Sequence, residues 1–224
     1  MNFYSPLDEM VAAAKTLPEN ENIKLFLRHS IRYDNPPDGD YSKLLLTPEG
    51  IELANKIGAS IDKKIGLLGA SAVERCQQTI REIYKGIQPQ FMPENMPEII
   101  VKKGFYQLAG NPFGRANGGL DWFEYFHCLQ TGDTKSTKGI SLEMEAKPIL
   151  DAIFGMKSDP DKLDIICSHD SHVIILASAL FGLKTGLHGD NWCRYTEGFF
   201  FWGRRDDFYA LWRGQKGHFK NFYC

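Results

Sequence analysis

The sequence predicts an α/β protein, a three-layer α/β/α sandwich with a mostly parallel central sheet and a C-terminal antiparallel hairpin. Three times along the chain, a short apolar run of strand length leads into polar residues and then into a segment with helical spacing. Near the C-terminus, two aromatic runs at 198–202 and 207–212 flank a polar turn, which is typical of a hairpin. Because no internal repeat or linker divides the chain, we predict one domain over residues 1–224.

Composition and charge narrow the class of partner. The chain has 224 residues, 43% of them hydrophobic, which is enough for a sizeable core. Its formal net charge of -2 gives no electrostatic footprint for nucleic acid. There is no signal-peptide pattern at the N-terminus and no apolar run long enough for a bilayer, so we expect no membrane partner. Five cysteines without C-x-x-C spacing argue against disulfides and zinc, and favour reduced thiols in the cytoplasm.

The first unit begins with a helix. Ser5, Pro6 and two first-turn acids are typical of a helix start, and this helix is expected to end near Leu17. The apolar run 23–27 then predicts a strand. It ends in a basic cluster, Arg28-His29-Ser30-Ile31-Arg32, which opens a turn-prone loop.

The second unit has the same order of elements. Thr47-Pro48-Glu49 is a second helix-start pattern, and isoleucine and alanine recur behind it at helical spacing, at positions 51, 54, 57, 61 and 65. Residues 67–70 predict a strand. Ser71 is expected to cap the following helix, whose first turns carry Arg75.

The third unit follows a segment with weak patterning. Residues 98–101 predict a strand, 120–129 a short helix, and 141–154 a helix that Pro148 kinks or restarts. The segment 104–140 is predicted to form a lid or insert. A buried strand at 163–168 then leads into His169-Asp170 and an apolar helix over 173–180.

Three of the predicted strand ends carry groups suited to anions. Open α/β sheets bind ligands beyond the carboxyl ends of their strands. If these three strands are neighbours, one pocket would hold three arginines, two histidines and one carboxylate. Guanidinium groups match phosphate oxygens in geometry and charge, so the cluster predicts a phosphate site.

Four ordered segments resemble the histidine phosphatase superfamily, which has the phosphoglycerate mutase-like fold. The basic cluster resembles the family's Arg-His-Gly signature, with Ser30 in place of glycine. The segments 46–50 and 71–79 are similar to its Leu-Thr-x-x-Gly and Ser-x-x-x-Arg-x-x-x-Thr patterns. Arg32 and Ser168-His169-Asp170 resemble the acid phosphatase and phytase branch.

The resemblance implies a role for each matching residue. His29 would be the nucleophile that forms a phosphohistidine, and Asp170 would be the general acid. Arg28 and His169 would bind the phosphoryl group and take part in catalysis. The remaining phosphate ligands would be Arg32, Arg75 and Ser30.

The chemistry of these residue types fits the implied roles. A neutral imidazole can attack phosphorus when its other nitrogen donates to a fixed acceptor, and arginines can hold the transferring group. An aspartate has an ordinary pKa of about 3.9, so its use as an acid favours an acidic or near-neutral optimum. The scheme requires no metal and no cofactor. The predicted function is hydrolysis of a small-molecule phosphate ester, releasing inorganic phosphate.

Two other functions stay open. One is a phosphate-ester binding or regulatory protein with little turnover, because the Ser30 side chain could degrade the motif or could instead supply one more donor. The other is a mutase that moves phosphate between hydroxyls of one molecule.

Several residues have two interpretations. Glu74 or Glu143 could be the proton donor in place of Asp170, although a helix start explains both acids. His172 could contact substrate but is more simply a packed histidine. Arg115 could reach phosphate from its loop or lie in solvent.

Overall fold

The computed structural model describes residues 7–34, 43–108 and 120–224. Three sequence predictions fall outside these ranges: the Ser5-Pro6 helix start, most of the turn-prone loop after Arg32, and the proposed role of Arg115. The prediction that 104–140 forms a lid or insert also depends partly on residues 109–119. It remains a prediction.

The described residues form six α-helices, two short 3-10 helices (Pro89–Phe91 and Lys103–Phe105) and seven strands. The helices are α1 (Leu7–Ala14), α2 (Pro48–Ala59), α3 (Glu74–Gly86), α4 (Trp122–Thr131), α5 (Leu142–Phe154) and α6 (Asp170–Phe181). The strands are β1 (Ile23–Arg28), β2 (Lys64–Ala70), β3 (Ile99–Val101), β4 (Lys162–Ser168), β5 (Gly198–Arg204), β6 (Asp207–Trp212) and β7 (Gln215–Lys220). In this part of the chain, no helix is long and apolar enough to cross a membrane.

The strands form one mixed sheet in the order β3-β2-β4-β1-β5-β6-β7. The first four strands in that order are parallel, and β5, β6 and β7 add to the β1 side in antiparallel fashion. The predicted fold class is therefore confirmed. The C-terminal hairpin is extended by β7, which the sequence analysis missed because only Phe219 in that strand is a large apolar residue.

Two apolar cores make the protein three-layered. On β1, Leu25 and Leu27 face one core while Phe26 faces the other, as the alternation of side chains along a strand requires. The first core contains residues of α1, α2 and α3. The second contains residues of α4, α5 and α6. The strands of the parallel half are thus covered on both faces, which leaves their ends as the accessible polar edge.

The start of α2 follows the predicted pattern. Thr47 is the N-cap, and its side chain accepts a hydrogen bond from the Gly50 amide at 3.1 Å. A Cβ at Gly50 would lie 2.0 Å from the Ile31 carbonyl oxygen, so only glycine allows α2 to approach the loop after β1 this closely.

Two local predictions were wrong. Helix α2 ends at Ala59, and Ile65 lies in β2, where it is paired with Leu163 of β4. Burial between strands therefore overrides the coincidental helical spacing of the isoleucines. Ser71 does not cap α3, since Val73 is the N-cap and makes no side-chain capping bond. The chain beyond β2 needs this extra turn before it becomes helical, and the Ser71 hydroxyl faces His169 instead.

Candidate functional site

The carboxyl ends of β2, β4 and β1 lie side by side, with β4 in the middle. Arg28 at the end of β1 is paired with Ser168 at the end of β4, and Ala70 at the end of β2 is paired with Cys167. The three strands whose ends carry the predicted anion-binding groups are therefore neighbours in the sheet. The residues that follow these strand ends therefore meet in one place.

His29 is held in the tautomer that a nucleophile needs. Its Nδ1 lies 2.8 Å from the Ser30 carbonyl oxygen, which can only accept, so Nδ1 carries the proton and donates it. The Nε2 atom then holds a free lone pair. The His29 side chain is 2% exposed, and the His29 amide donates to the Ser168 carbonyl at 2.9 Å, so the ring is fixed by β1 and β4 together.

The surroundings of His29 keep its ring neutral. Burial is the main cause that lowers the pKa of His29 well below 6.5, and the nearby cations Arg75 and Arg28 and the His169 ring lower it further. The two histidine rings lie 5.7 Å apart between centroids, nearly edge to face. A buried neutral imidazole beside two guanidinium groups can attack an electrophile that those groups hold.

Arg75 and His169 form the second half of the cluster. An Nη2 of Arg75 lies 3.4 Å from His169 Nδ1, and the Ser71 Oγ lies 2.9 Å from His169 Nε2. Burial lowers the pKa of Arg75, and nearby Arg32 lowers it further. An anion bound between these groups would relieve this crowding of positive charge.

Arg28 and Asp170 face each other across the cluster. An Nη2 of Arg28 lies 3.3 Å from Asp170 Oδ2, and Nη1 donates to the Cys193 carbonyl oxygen at 2.6 Å. The Arg28 guanidinium also lies 4.1 Å from the centroid of the Tyr195 ring. A carboxylate, a carbonyl and an aromatic face therefore position Arg28.

Asp170 is the first residue of α6 and is ionised in this arrangement. Burial by itself would raise its pKa, but Arg28, the Trp192 indole, His169 and the Ser171 amide together hold the pKa below its usual value. Trp192 Nε1 donates to Oδ2 at 3.1 Å, and the Ser171 amide donates to Oδ1 at 2.9 Å. A general acid at this position must gain its proton when a ligand enters.

The other two predicted phosphate ligands are placed differently. Arg32 is half-buried at the edge of the cluster, where Nη1 donates to the Tyr33 carbonyl at 2.7 Å. Ser30 is fully buried, its hydroxyl donates to the Gly50 carbonyl at 2.7 Å, and its amide donates to Thr79 Oγ1 at 3.1 Å. The Ser30 hydroxyl thus ties the end of β1 to α2, and its only hydrogen is used there.

The alternative proton donors lie elsewhere. Glu74 is exposed and pairs with Arg81 on its own helix, while Glu143 is exposed and close to Tyr223. His172 is 1% exposed behind His169, with ring centroids 5.9 Å apart, and burial lowers its pKa to about 3. Its packing is that of a buried core histidine.

The segment 191–197, to which no sequence pattern pointed, closes the other side of the cluster. Trp192, Cys193 and Tyr195 each contact Arg28 or Asp170 as described above. The signal that could have found them is strand pairing. Gly198 pairs with Leu27 in antiparallel fashion, so the residues just before Gly198 must reach the end of β1.

Among residues 7–34, 43–108 and 120–224, no group of three or more histidine, cysteine, aspartate and glutamate side chains is placed to hold a metal ion. The arrangement described here instead places cationic donors around one neutral histidine.

Comparison with known proteins was made by sequence and by structure. No family model and no curated protein matches the sequence. The structure matches solved structures of the histidine phosphatase superfamily, so the chain has the phosphoglycerate mutase-like fold that the resemblance predicted.

Three of these neighbours illustrate the likeness. A phosphoserine phosphatase of Entamoeba histolytica, solved with 3-phosphoglyceric acid, has 16% identity and a TM-score of 0.52, covering 80% of this chain and 90% of its own. A mycobacterial glucosyl-3-phosphoglycerate phosphatase has 14% identity and a TM-score of 0.51, covering 82% and 91%. Mycobacterial hydrolase 2 has 12% identity and a TM-score of 0.53, covering 83% of each chain. At identities this low, the structural likeness shows a shared fold and nothing more.

Proposed function

We propose that this protein hydrolyses small-molecule phosphate monoesters through a phosphohistidine at His29, without a metal. The observation that carries the proposal is the fixed tautomer of His29, whose Nδ1–H···O bond to Ser30 leaves Nε2 as a buried, neutral nucleophile between two arginines. The phosphatases that share the fold support the choice of a phosphate ester.

The first step transfers the phosphoryl group to the protein. Arg28 and Arg75 hold the phosphoryl oxygens, while Arg32 contributes from the edge of the cluster. His29 Nε2 attacks phosphorus and the bond to the ester oxygen breaks. The bound phosphoryl group brings negative charge beside Asp170 and competes for Arg28, and both effects raise the pKa of the Asp170 carboxyl. Asp170 therefore takes up a proton from solvent when the ester binds, and it delivers this proton to the leaving oxygen.

The second step releases inorganic phosphate. Water attacks the phosphohistidine, the Asp170 carboxylate accepts a proton from that water, and His29 leaves as a neutral imidazole. Asp170 then carries the same number of protons as at the start of the first step, and it returns its proton to solvent when phosphate leaves and Arg28 pairs with it again. The five cysteines are free thiols, which fits a cytoplasmic location.

The experiment compares hydrolysis of p-nitrophenyl phosphate by the wild type, His29→Ala and a matched control, His188→Ala, whose histidine is exposed on a loop. We expect loss of the nucleophile to lower kcat by at least about 1000-fold and the control to retain full activity. Equal turnover by His29→Ala and the wild type would rule the proposal out.

A second candidate, a phosphate-ester binding protein with little turnover, is favoured by one observation. Asp170 is paired with Arg28 and its pKa is lowered, which makes it a poor proton donor. Tight binding of inorganic phosphate with no hydrolysis across a panel of esters would support this candidate.

A further inference from the structure

Glu197 is a buried carboxylate just outside the cluster, and it accepts hydrogen bonds from two arginines and one tryptophan. It is 2% exposed. Its Oε1 accepts from Trp212 Nε1 at 3.0 Å and from Arg213 Nε at 2.8 Å. Its Oε2 accepts from the Arg194 amide at 2.9 Å and from Arg194 Nε at 3.2 Å. A buried carboxylate is stable only with such a set of partners.

These bonds hold the segment 191–197 to the start of β5 and the end of β6. The segment has no helical or strand ladder of its own, and two non-glycine residues in it, Asn191 and Thr196, each have a φ of 61°. A β-branched residue in the left-handed region is strained, so its surroundings must impose that conformation. Glu197 binds Arg194 in the middle of this segment and also binds Arg213, whose Nη2 donates to the Asn191 and Trp192 carbonyls at its start, each at 3.3 Å.

The same segment determines where Arg28 and Asp170 lie. It presents the Trp192 indole to Asp170, the Cys193 carbonyl to Arg28 and the Tyr195 ring to the Arg28 guanidinium. The backbone carbonyl of Glu197 also accepts from the Arg28 amide at 2.9 Å. A shift of the segment would therefore move Arg28, one of the anion-binding residues, even though no anion-binding residue had been substituted.

We propose that Glu197 is a positioning residue of the anion pocket, acting through the segment 191–197 to hold Arg28 in the geometry that binds a phosphoryl group. The inference rests on the proposed function only to the extent that the pocket binds phosphate, and it does not require turnover. Glu197 itself has its two carboxylate oxygens occupied by Arg194, Trp212 and Arg213, and it acts on a ligand only through other residues.

The test is a double-mutant cycle read out as the affinity for inorganic phosphate, measured by calorimetry. Glu197→Gln keeps the side-chain volume and removes the charge that holds Arg213 and Arg194. We expect it to weaken phosphate binding about tenfold, as the loss of bonds to a charged group does. Because the effect passes through Arg28, Glu197→Gln should cause no further loss in an Arg28→Met background.

Asp164→Asn is the matched control. Asp164 is also a fully buried acid in an ion pair, with Lys24 Nζ at 3.1 Å, but it lies near the amino end of β4. The substitution is expected to lower the melting temperature as Glu197→Gln does, while leaving phosphate affinity and its dependence on Arg28 unchanged. If Glu197 has only a structural role, Glu197→Gln would likewise lower the melting temperature and leave phosphate affinity unchanged.

Independent, multiplicative losses in the Arg28→Met/Glu197→Gln double variant would overturn the inference, as would wild-type protein that does not bind phosphate. If Glu197→Gln does not fold, Arg213→Met removes two donors from the same carboxylate, and the same cycle with Arg28→Met applies. Non-additive phosphate binding without ester hydrolysis would support the inference while it contradicts the proposed enzyme.

Discussion

Arg28 and Asp170 form an ion pair, with Nη2 of the guanidinium 3.3 Å from Oδ2 of the carboxylate. Arg28 is expected to bind the phosphoryl group and Asp170 to transfer a proton, yet the two side chains are bound to each other. A bound phosphoryl group must therefore displace a carboxylate from its principal cation. Because the Asp170 carboxylate and the phosphoryl group compete for Arg28, Asp170 is expected to weaken phosphate binding while it supports turnover.

Asp170→Asn separates these effects. We expect the variant to bind inorganic phosphate more tightly than the wild type at pH 7, because Arg28 is no longer neutralised by a carboxylate. We expect kcat for p-nitrophenyl phosphate to fall about 100-fold or more, since proton transfer to and from the reacting groups is lost. Calorimetry and steady-state kinetics measure the two quantities. A variant with unchanged kcat would show that Asp170 is not the proton donor.

Trp192→Phe should change the pH dependence of turnover. The indole N–H bond to Asp170 helps to lower the pKa of that carboxyl, so its loss raises the pKa and keeps the acid protonated to higher pH. The basic limb of the kcat profile should move up by about one pH unit. The acid limb should not move, because the pKa of His29 is set mainly by burial. A basic limb that stays in place would show that the Trp192 hydrogen bond does not set the pKa of the proton donor.

Ser30→Ala tests the placement of the residue that stands where the family signature has glycine. The Ser30 hydroxyl donates to the Gly50 carbonyl, so its loss should destabilise the protein by about 1 kcal/mol, the typical value of one such bond. The KM for a phosphate ester should stay as in the wild type. Urea unfolding and kinetics give the two values. A large rise in KM with unchanged stability would instead make the hydroxyl a phosphate ligand.

His172→Leu should reduce the loss of stability in acid. Burial lowers the pKa of His172 from 6.5 to about 3, so between these pH values the unfolded chain binds a proton that the folded protein does not. Folding is therefore destabilised as the pH falls below 6.5, by about 2 kcal/mol at pH 5.

The measurement is urea unfolding of both proteins at pH 7.5 and pH 5. The wild type should lose about 2 kcal/mol more than His172→Leu between the two conditions. The matched control is His188→Leu, whose histidine is exposed and which should behave as the wild type. Equal losses in all three proteins would contradict the buried, neutral state of His172.

The sequence predicts the half of the site that follows strands, because apolar runs of strand length are visible and their polar ends are adjacent to them. Arg28, His29, Arg75, His169 and Asp170 were found in this way, and the structure brings them together. Pairing with a distant strand leaves no such local pattern. Trp192 and Tyr195 reach the cluster, and Glu197 lies just behind it, only because β5 pairs with β1, so they could not be recognised from their own segment.

The role of Ser30 could not be predicted for a similar reason. Whether its hydroxyl faces phosphate or the interior depends on how closely α2 approaches the loop after β1. The approach is so close that a Cβ at Gly50 would lie 2.0 Å from the Ile31 oxygen. This proximity is a property of the three-dimensional structure and has no signal in the sequence. The lowered pKa of Asp170 likewise depends on Trp192 and Arg28 together. Neither partner can be assigned from residues 168–170 alone.

The most direct test of the account is to trap the covalent intermediate. The wild-type protein is mixed with a phosphate ester, quenched within one turnover, kept at alkaline pH and analysed by peptide mass spectrometry. We predict one phosphoryl group on His29, absent in His29→Ala and labile to acid. Rapid ester hydrolysis with no modified peptide, or with phosphate on another residue, would contradict the assignment of His29 as the nucleophile.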